Sequence, residues 1–175
     1  MTHHLSDKKV AFLTTDQYED SELTSPWEAV EEAGATAHLL SPGGKKVEGK
    51  KGHSQEADLD VADANASDYD MLVLPGGTKN ADHLRVEEAA VKFVKDFNAA
   101  GKPIAVICHG PWILTDADAV SGKKMTSYKS LKTDLKNAGA EWVDEEVVVD
   151  ANLITSRTPD DLPAFNRELL KALEG

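Results

Sequence analysis

Short, mainly apolar runs recur along this chain and alternate with segments whose apolar residues have helical spacing. This alternation limits the fold more than any other feature of the sequence. Ile104–Ile107, for example, is an unbroken apolar run, which is typical of a strand buried on both faces. Buried strands that alternate with helices predict an α/β fold, in which helices cover both faces of a mainly parallel sheet. The predicted central strands are residues 10–14, 36–40, 70–74 and 104–107.

The segments between these strands predict the remaining elements. Val91, Val94 and Phe97 line one face at helical spacing, and Gly101 follows the end of their helix. The predicted helices are residues 22–33, 86–100, 131–138 and 162–173, with a further helix directly after Cys108. Two hairpins are predicted, at 42–56 and at 147–149 with 153–155, together with a weak edge strand near 59–61 and a short strand at 125–127. We expect a single domain over residues 1–175, in which residues 1–8 form a flexible N-terminus.

Composition excludes several classes of function. The formal net charge is −12 and the sequence pI is near 4.8, whereas nucleic-acid and anionic-membrane binding need a basic surface. No apolar run approaches the ~20 residues of a membrane span. Residues 1–9 lack an apolar core, so we expect no secretory leader. We therefore expect a cytoplasmic protein that binds no membrane and forms no stable nucleic-acid complex. The acidity fits a well-solvated surface or, alternatively, an adaptation to high salt.

Cys108 is the only cysteine, and it follows a predicted buried strand directly. Gly110 and Pro111 come next, and Pro111 suits the first position of a helix. A cysteine on a sharp strand-to-helix turn lies beside backbone N–H groups and the positive end of a helix dipole, both of which stabilise a thiolate nucleophile. The alternative is a small buried hydrophobic residue, because free cysteines are among the most buried residues in proteins.

Three segments follow the carboxyl ends of predicted strands, where α/β sheets bind their ligands. The first contains Glu19 and Glu22, three residues apart and so on one helix face. Acids are common at helix starts for electrostatic reasons, but a carboxyl on this face could instead hydrogen-bond the Cys108 sulfur. Such an acid must be protonated for part of the time, so its pKa would have to be raised.

The other two segments are Pro75–Gly77 and Cys108–Gly110. Gly76 and Gly77 form a plain turn in the simplest interpretation, although an exposed glycine N–H would also suit an oxyanion hole with the N–H of His109. Neighbouring side chains at a sharp turn diverge, so we expect His109 to be poorly placed to contact the sulfur. It could act as a general base if a carboxylate orients it, but lone histidines are more often structural.

No cofactor or metal site is expected. The six histidines show no metal-ligand spacing and there is no second cysteine for a zinc site. Nucleotide-binding glycine motifs are also absent.

Five segments together resemble the PfpI-type members of the superfamily that also contains the parkinsonism-linked deglycase. The resemblance runs from about Lys9 to Leu173. The segments that carry it are Tyr18–Leu23, Leu72–Gly77, Gly101–Pro111, Asn137–Trp142 and Thr155–Leu162. The resemblance implies a flavodoxin-like three-layer sandwich, related to class I glutamine amidotransferases, with Cys108 on a nucleophile elbow.

The resemblance also implies roles for individual residues. Cys108 matches the family nucleophile, His109 the neighbouring histidine and Glu22 the acid that hydrogen-bonds the sulfur. Gly77 and the backbone of His109 match the oxyanion hole. In PfpI-like oligomers an acid from the adjacent subunit orients the histidine, and Asp82 falls at that place if one extra residue is allowed. The remaining site-lining positions are Glu19, Gly76, Tyr128 and Lys50.

Three functions agree with this resemblance. The leading hypothesis is a cysteine-dependent hydrolase of glyoxal, methylglyoxal or their early glycation adducts, acting on a small carbonyl compound or a glycated protein. The alternatives are an intracellular cysteine peptidase and a non-catalytic redox sensor that works through oxidation of Cys108. Because an acid from a second subunit is implied, we expect a homodimer or hexamer.

Overall fold

The computed structural model describes residues 5–175. Its strands are β1 (Lys9–Leu13), β2 (Thr36–Ser41), β3 (Val47–Glu48), β4 (Ser54–Gln55), β5 (Leu59–Asp60), β6 (Met71–Leu74), β7 (Ile104–Ile107), β8 (Lys124–Met125), β9 (Glu141–Trp142), β10 (Val148–Asp150) and β11 (Leu153–Ser156). Its helices are α1 (Asp20–Glu32), α2 (Thr78–Leu84), α3 (Glu88–Ala99), α4 (Trp112–Asp116), α5 (Lys132–Asn137) and α6 (Leu162–Glu174).

A seven-stranded sheet runs through the middle of the molecule in the order β10-β11-β7-β6-β1-β2-β5. Every pairing is parallel except that of β10 with β11. All residues of β6 and β7 are buried, as the unbroken apolar runs predict for central parallel strands. The mainly parallel sheet is therefore confirmed.

Alternate strand residues separate the core into two layers, because successive side chains point to opposite faces of a sheet. Leu72, Leu74 and Val106 pack on one face with the apolar sides of α3, α4 and α5. Met71 and Val73 pack on the other face with α1 and α6. The result is a flavodoxin-like three-layer sandwich, which confirms the predicted fold class.

The two predicted hairpins are present. β3 and β4 form the first, within residues 42–56, and β10 and β11 form the second. The weak strand near residue 59 is β5, which pairs with β2 at the edge of the sheet. Two features were not predicted, namely helix α2 directly after Gly77 and the parallel pairing of β8 with β9.

The predicted flexible N-terminus lies partly outside the described residues, which begin at Leu5. The Leu5 side chain is buried in the core, and the Lys8 N–H donates a hydrogen bond to the Leu5 carbonyl. The described part of the chain thus already packs against the domain at residue 5. Between residues 5 and 175, no helix is both long and apolar enough to cross a membrane.

Candidate active site

The turn after β7 holds Cys108 in an unusual backbone conformation. Its φ is +65°, a left-handed value that costs a non-glycine residue about 1–2 kcal/mol. Two hydrogen bonds offset this strain: the Cys108 N–H donates to the Ser156 carbonyl at 3.1 Å, and the Tyr128 N–H donates to the Cys108 carbonyl at 2.9 Å. Cys108 thus lies on a nucleophile elbow at the carboxyl ends of the central strands.

Gly110 makes this tight turn sterically feasible. A Cβ atom at position 110 would lie 2.6 Å from a methyl carbon of Val106 and 2.9 Å from the Leu74 carbonyl oxygen. The packing around the elbow therefore requires glycine here, two residues after the nucleophile.

Helix α1 places Glu22 beside the nucleophile. Glu22 is fully buried, and its Oε1 accepts a 3.0 Å hydrogen bond from the Gly76 N–H. A Cβ on Gly76 would meet both this carboxyl and Cβ of Cys108, which shows how closely the three residues approach. Oε2 has no partner within hydrogen-bonding geometry among the described residues, although the carboxyl and the thiol interact electrostatically.

Burial raises the pKa of Glu22 to about 8, and the neighbouring charge of Glu19 adds to this effect. The carboxyl is therefore mainly protonated at neutral pH, as the sequence argument requires for an acid that donates to the sulfur.

Burial also raises the pKa of the Cys108 thiol to about 12, with a further contribution from the Glu22 charge. The backbone N–H groups of Gly77 and His109 oppose this rise by hydrogen bonding to the sulfur. The backbone donors stabilise the thiolate, as the sequence predicts, but burial outweighs them, so the pKa of the thiol is raised overall. The resting group is a thiol.

Gly77 adopts a φ of +100°, and a Cβ there would lie 2.6 Å from the Gln17 carbonyl oxygen. Its N–H and that of His109 both hydrogen-bond the Cys108 sulfur, so they are donors that an oxyanion formed at this position could use. The Gly76 N–H is already used by Glu22.

Asn80 holds this loop in place. Its Nδ2 donates to the carbonyls of Pro75 and Gly76 at 3.2 and 3.1 Å, while its Oδ1 accepts from the Thr14 hydroxyl and the Thr15 N–H at 2.9 and 2.8 Å. Asn80 is buried and joins the loops that follow β1 and β6. Sequence reasoning missed it, because its partners Thr14 and Thr15 are distant along the chain.

Glu19 has a different environment from Glu22. Its two oxygens bind the ammonium groups of Lys50 and Lys51 at 2.8 and 2.9 Å, which ties the β3–β4 hairpin to the start of α1. Burial alone would raise the pKa of Glu19, but the hydrogen bonds from both lysines outweigh burial and lower it. The two acids three residues apart therefore differ, with Glu19 ionised and Glu22 protonated.

His109 contacts the sulfur directly. Its Nδ1 lies 3.4 Å from Sγ of Cys108, so the expectation that adjacent side chains would diverge is wrong. The imidazole stacks on the Tyr128 ring with centroids 4.8 Å apart, and this packing turns it back over the elbow. Burial lowers the pKa of His109, as does the positive charge of Lys50, so the ring is neutral at pH 7 and can accept a proton.

The outer nitrogen of His109 faces two hydroxyl groups. Nε2 lies 3.4 Å from Oγ1 of Thr78 and 3.3 Å from Oγ of Ser130. Both residues are exposed, so these hydroxyls connect the imidazole to solvent. Nothing in the sequence singled them out. Asp82 is exposed on α2 and is not among the His109 partners in this chain, so its role toward a neighbouring subunit stays a prediction.

The site opens into a cavity of about 300 Å³. Its walls are formed by the reactive turn, the Glu19–Lys50 pair and a loop after β11, namely Glu19, Lys50, Gly77, Thr78, Cys108, His109, Tyr128, Thr158 and Pro159. Over residues 5–175, no three histidine, cysteine, aspartate or glutamate side chains cluster in a way that could hold a metal ion. Six of the predicted site residues line this cavity, namely Glu19, Lys50, Gly77, Cys108, His109 and Tyr128. Glu22 and Gly76 are buried beside Cys108 and do not line it, and neither does Asp82.

Comparisons with known proteins agree with this geometry. The profile of the DJ-1/PfpI family matches residues 8–172. A Bacillus subtilis protein with a provisional name as a cysteine protease, YraA, is 49% identical over 95% of this chain and 99% of its own. Protein/nucleic acid deglycase 2 of Escherichia coli is 48% identical over 95% of this chain and 98% of its own. The crystal structure of Drosophila melanogaster DJ-1beta superposes with a TM-score of 0.88, at 28% identity, over 99% of this chain and 91% of that one.

Proposed function

The chain belongs to the DJ-1/PfpI family, and from this premise we propose that it hydrolyses small 2-oxoaldehydes such as methylglyoxal, or their early adducts with amines, through Cys108. The observation that carries the proposal is that four hydrogen-bonding groups surround the Cys108 sulfur. A neutral imidazole lies 3.4 Å from Sγ, a protonated Glu22 lies beside it, and two backbone N–H groups face it. This arrangement can activate a thiol and stabilise the oxyanion formed when it adds to a carbonyl.

The first step transfers the Sγ proton to Nδ1 of His109 while the sulfur adds to the aldehyde carbon. The carbonyl π electrons move to oxygen, and the N–H groups of Gly77 and His109 stabilise that oxygen until it is protonated. The product is a hemithioacetal. Protonated Glu22 favours this step, because a second negative charge beside the sulfur would raise the energy of the thiolate.

The remaining steps need only water. A proton leaves the former aldehyde carbon and another is delivered to the neighbouring carbonyl carbon, which converts the hemithioacetal into a 2-hydroxy thioester. Water then cleaves the thioester to the 2-hydroxy acid and restores the thiol. One carbon is oxidised and its neighbour is reduced, so the sum is R–CO–CHO plus water giving R–CHOH–COOH, without an external oxidant. An amine adduct, R–CO–CH(OH)–NHR′, would first break its C–N bond, with the hydroxyl proton passing to the departing amine, and the sulfur would then add to the aldehyde so released.

The cavity size supports a small substrate over an extended peptide. About 300 Å³ accommodates a three-carbon dicarbonyl with room for one further group, whereas a peptidase must bind several residues in a long groove. We therefore place peptidase activity second, and the relative with a provisional protease name is the reason for testing it.

The test is methylglyoxal consumption by the wild type and by Cys108→Ser, in buffer free of thiols and amines. We expect multiple turnovers with formation of lactate in the wild type and loss of at least 100-fold in kcat for the variant, because the serine hydroxyl is a far weaker nucleophile. Consumption of a single equivalent, or equal consumption by both proteins, would overturn the proposal. Peptide amides are assayed alongside, and their steady cleavage would favour the peptidase.

A redox sensor is a third candidate, because protonated Glu22 beside the Cys108 thiol could also donate a hydrogen bond to an oxidised sulfur. Stoichiometric oxidation of Cys108 by peroxide, without turnover of any carbonyl compound, is the result that would favour it.

A further inference from the structure

A second cavity adjoins the catalytic one. It has a volume of about 290 Å³, close to that of the catalytic cavity, and Tyr128 and Thr158 line both. The two cavities therefore lie side by side along these two residues. The other walls come from the loop after β8, the end of β9 and the turn after β11.

Three walls of this cavity, which we call the planar cavity, are flat side chains. They are the Trp142 indole, the Tyr128 phenol ring and the Arg157 guanidinium. Trp142 is half-buried, and its indole N–H donates to Oγ of Ser127 at 2.9 Å, so its one polar atom is already used. What Trp142 offers to a ligand is ring surface.

The nitrogens of the Arg157 guanidinium likewise already have hydrogen-bond partners. Nε and Nη2 donate to the two oxygens of Asp161 at 2.9 and 3.0 Å, and Nη1 donates to Oδ1 of Asp144 at 2.9 Å. These bonds raise the pKa of Arg157 further above its ordinary value, so the guanidinium is always charged. With its three nitrogens engaged in the plane, the guanidinium offers its face, which attracts π-electron systems and repels other cations.

From these walls we propose that the planar cavity is a substrate subsite for an aromatic or other flat conjugated ring attached to the reacting 2-oxoaldehyde. One face of the Tyr128 ring is covered by His109 and one face of Trp142 by the Lys132 ammonium. A ligand ring would contact the remaining ring surface and the Arg157 guanidinium, whereas an aliphatic chain gains only from burial.

The lining also holds Lys129 and Asp144, which carry opposite charges, so its flat side chains rather than its net charge favour a ring. The inference rests on the proposed function only in assuming that the attached carbonyl reacts at Cys108. Binding of the ring itself requires no reaction.

A binding experiment tests the subsite independently of turnover. Mandelate and lactate are the 2-hydroxy acids derived from phenylglyoxal and methylglyoxal, and they differ only by a phenyl ring in place of a methyl group. We expect calorimetric titration of the wild type to give a Kd for mandelate about three- to tenfold lower than that for lactate, as expected for an aromatic contact. Equal constants for the two acids would overturn the proposal whether or not the protein is an enzyme.

Two variants localise the effect. Trp142→Leu keeps apolar bulk but removes the flat ring, and it should abolish the preference for mandelate. Trp142→Phe retains a ring and should preserve the preference within about twofold. The assignment would be overturned if Trp142→Leu had the circular dichroism of the wild type and still preferred mandelate. The ring would then bind elsewhere.

Kinetics separate this inference from the proposed function. The quantity of interest is the ratio of kcat/KM for phenylglyoxal to kcat/KM for methylglyoxal. We expect this ratio to fall about three- to tenfold in Trp142→Leu and to stay at the wild-type value in Trp142→Phe. Methylglyoxal turnover should change by less than about twofold in either variant. Initial rates are needed, because phenylglyoxal also modifies arginine side chains. If the wild type turned over neither substrate, only the proposed function would be overturned. The mandelate titration would still show whether the planar cavity binds a ring.

Discussion

Cys108 and Glu22 form a pair of buried acids, and burial raises the pKa of both. Two negative charges side by side in an enclosed site are unfavourable, so the pair accommodates at most one. When Glu22 is protonated, the charge is free to reside on sulfur during the reaction. When Glu22 ionises, the thiolate becomes harder to form and the donor to the sulfur is lost.

This coupling predicts the direction of the pH dependence. We expect kcat/KM for methylglyoxal to fall as the pH rises through about 8, because Glu22 loses its proton there. On the acid side, activity should persist below the ordinary histidine range, because burial lowers the pKa of His109.

Glu22→Gln checks the assignment over a pH series from about 5 to about 10, which spans the titration of both groups. Glutamine keeps the acceptor for Gly76 and an N–H donor for the sulfur but does not titrate. The variant should lose the alkaline fall while retaining the acid limb. An alkaline fall that is unchanged in Glu22→Gln would show that another group controls it.

The hydroxyl groups of Thr78 and Ser130 are expected to stabilise the protonated form of His109. Their hydroxyls are the contacts of Nε2 within the described chain, and they can accept a hydrogen bond from the imidazolium formed during the reaction. Removing both in the double variant Thr78→Val with Ser130→Ala should lower kcat about two- to tenfold, because the charged ring loses its acceptors. For the same reason the acid limb of the pH profile should move toward lower pH.

The control for this experiment is Thr78→Ser in a chain that keeps Ser130, because it preserves both hydroxyls. It should retain the wild-type profile. A double variant with wild-type kcat and an unmoved acid limb would contradict the role of the two hydroxyls.

Residues with a local signal could be predicted from the sequence, and those without one could not. Cys108 follows an apolar strand and precedes His-Gly-Pro, and Glu22 lies near a helix start beside a second acid, so both stand out along the chain. Ser130 and Asn80 are ordinary polar residues in sequence, and folding alone brings them to His109 and to Thr14. The high pKa of Cys108 was also out of reach, because it depends on how deeply the turn is buried.

At the scale of elements, the site is a set of loops that follow strands β1, β6, β7 and β11. A parallel sheet brings such loops to one edge, so the order of strands creates the site before any side chain is considered. The loop after β6 is the least tolerant of them, because Gly77 must combine a left-handed backbone with close contact to residues 17–19.

Gly77→Ala should therefore damage catalysis more than folding. The added Cβ would lie 2.6 Å from the Gln17 carbonyl oxygen, so the loop has to shift and its N–H moves away from the sulfur. We expect kcat to fall about 100-fold, the usual loss for one oxyanion donor, with a loss in unfolding free energy of about 1–3 kcal/mol.

Gly52→Ala is the matched control. Gly52 has a nearly identical φ of +101°, but a Cβ added there would meet no other atom within 4 Å, so this variant carries the backbone strain without the clash. It should retain kcat. Comparable kcat in Gly77→Ala and the wild type would remove the Gly77 N–H from the mechanism.

At the scale of the whole molecule, the apolar runs were enough to predict the three-layer fold. No comparable pattern in a single sequence predicts how subunits assemble. Asp82 illustrates the difference. It is exposed on α2, and the hydrogen-bond partners of His109 Nε2 within the described chain are Thr78 and Ser130 instead. The prediction that Asp82 orients a histidine, and with it the prediction of a homodimer or hexamer, depends on a second copy of the chain.

Asp82→Asn tests this assembly. If the carboxylate orients a histidine across an interface, the variant should remain oligomeric in sedimentation velocity while kcat falls about tenfold, because an amide holds an imidazolium less strongly than a carboxylate does. Glu87→Gln, which neutralises another exposed acid just after α2, should leave kcat unchanged. A fully active monomer would contradict the role of Asp82.

Strand β7 carries the nucleophile and lies between β6 and β11, yet β11 is synthesised well after β7. Until Leu153–Ser156 has left the ribosome, β7 has an unpaired edge and the Cys108 N–H lacks its Ser156 acceptor. An open apolar edge is a site of misassociation for a nascent chain. The reactive turn is consequently completed only after β11 has emerged, so a chain truncated before β11 carries the cysteine without the hydrogen bond that holds its turn.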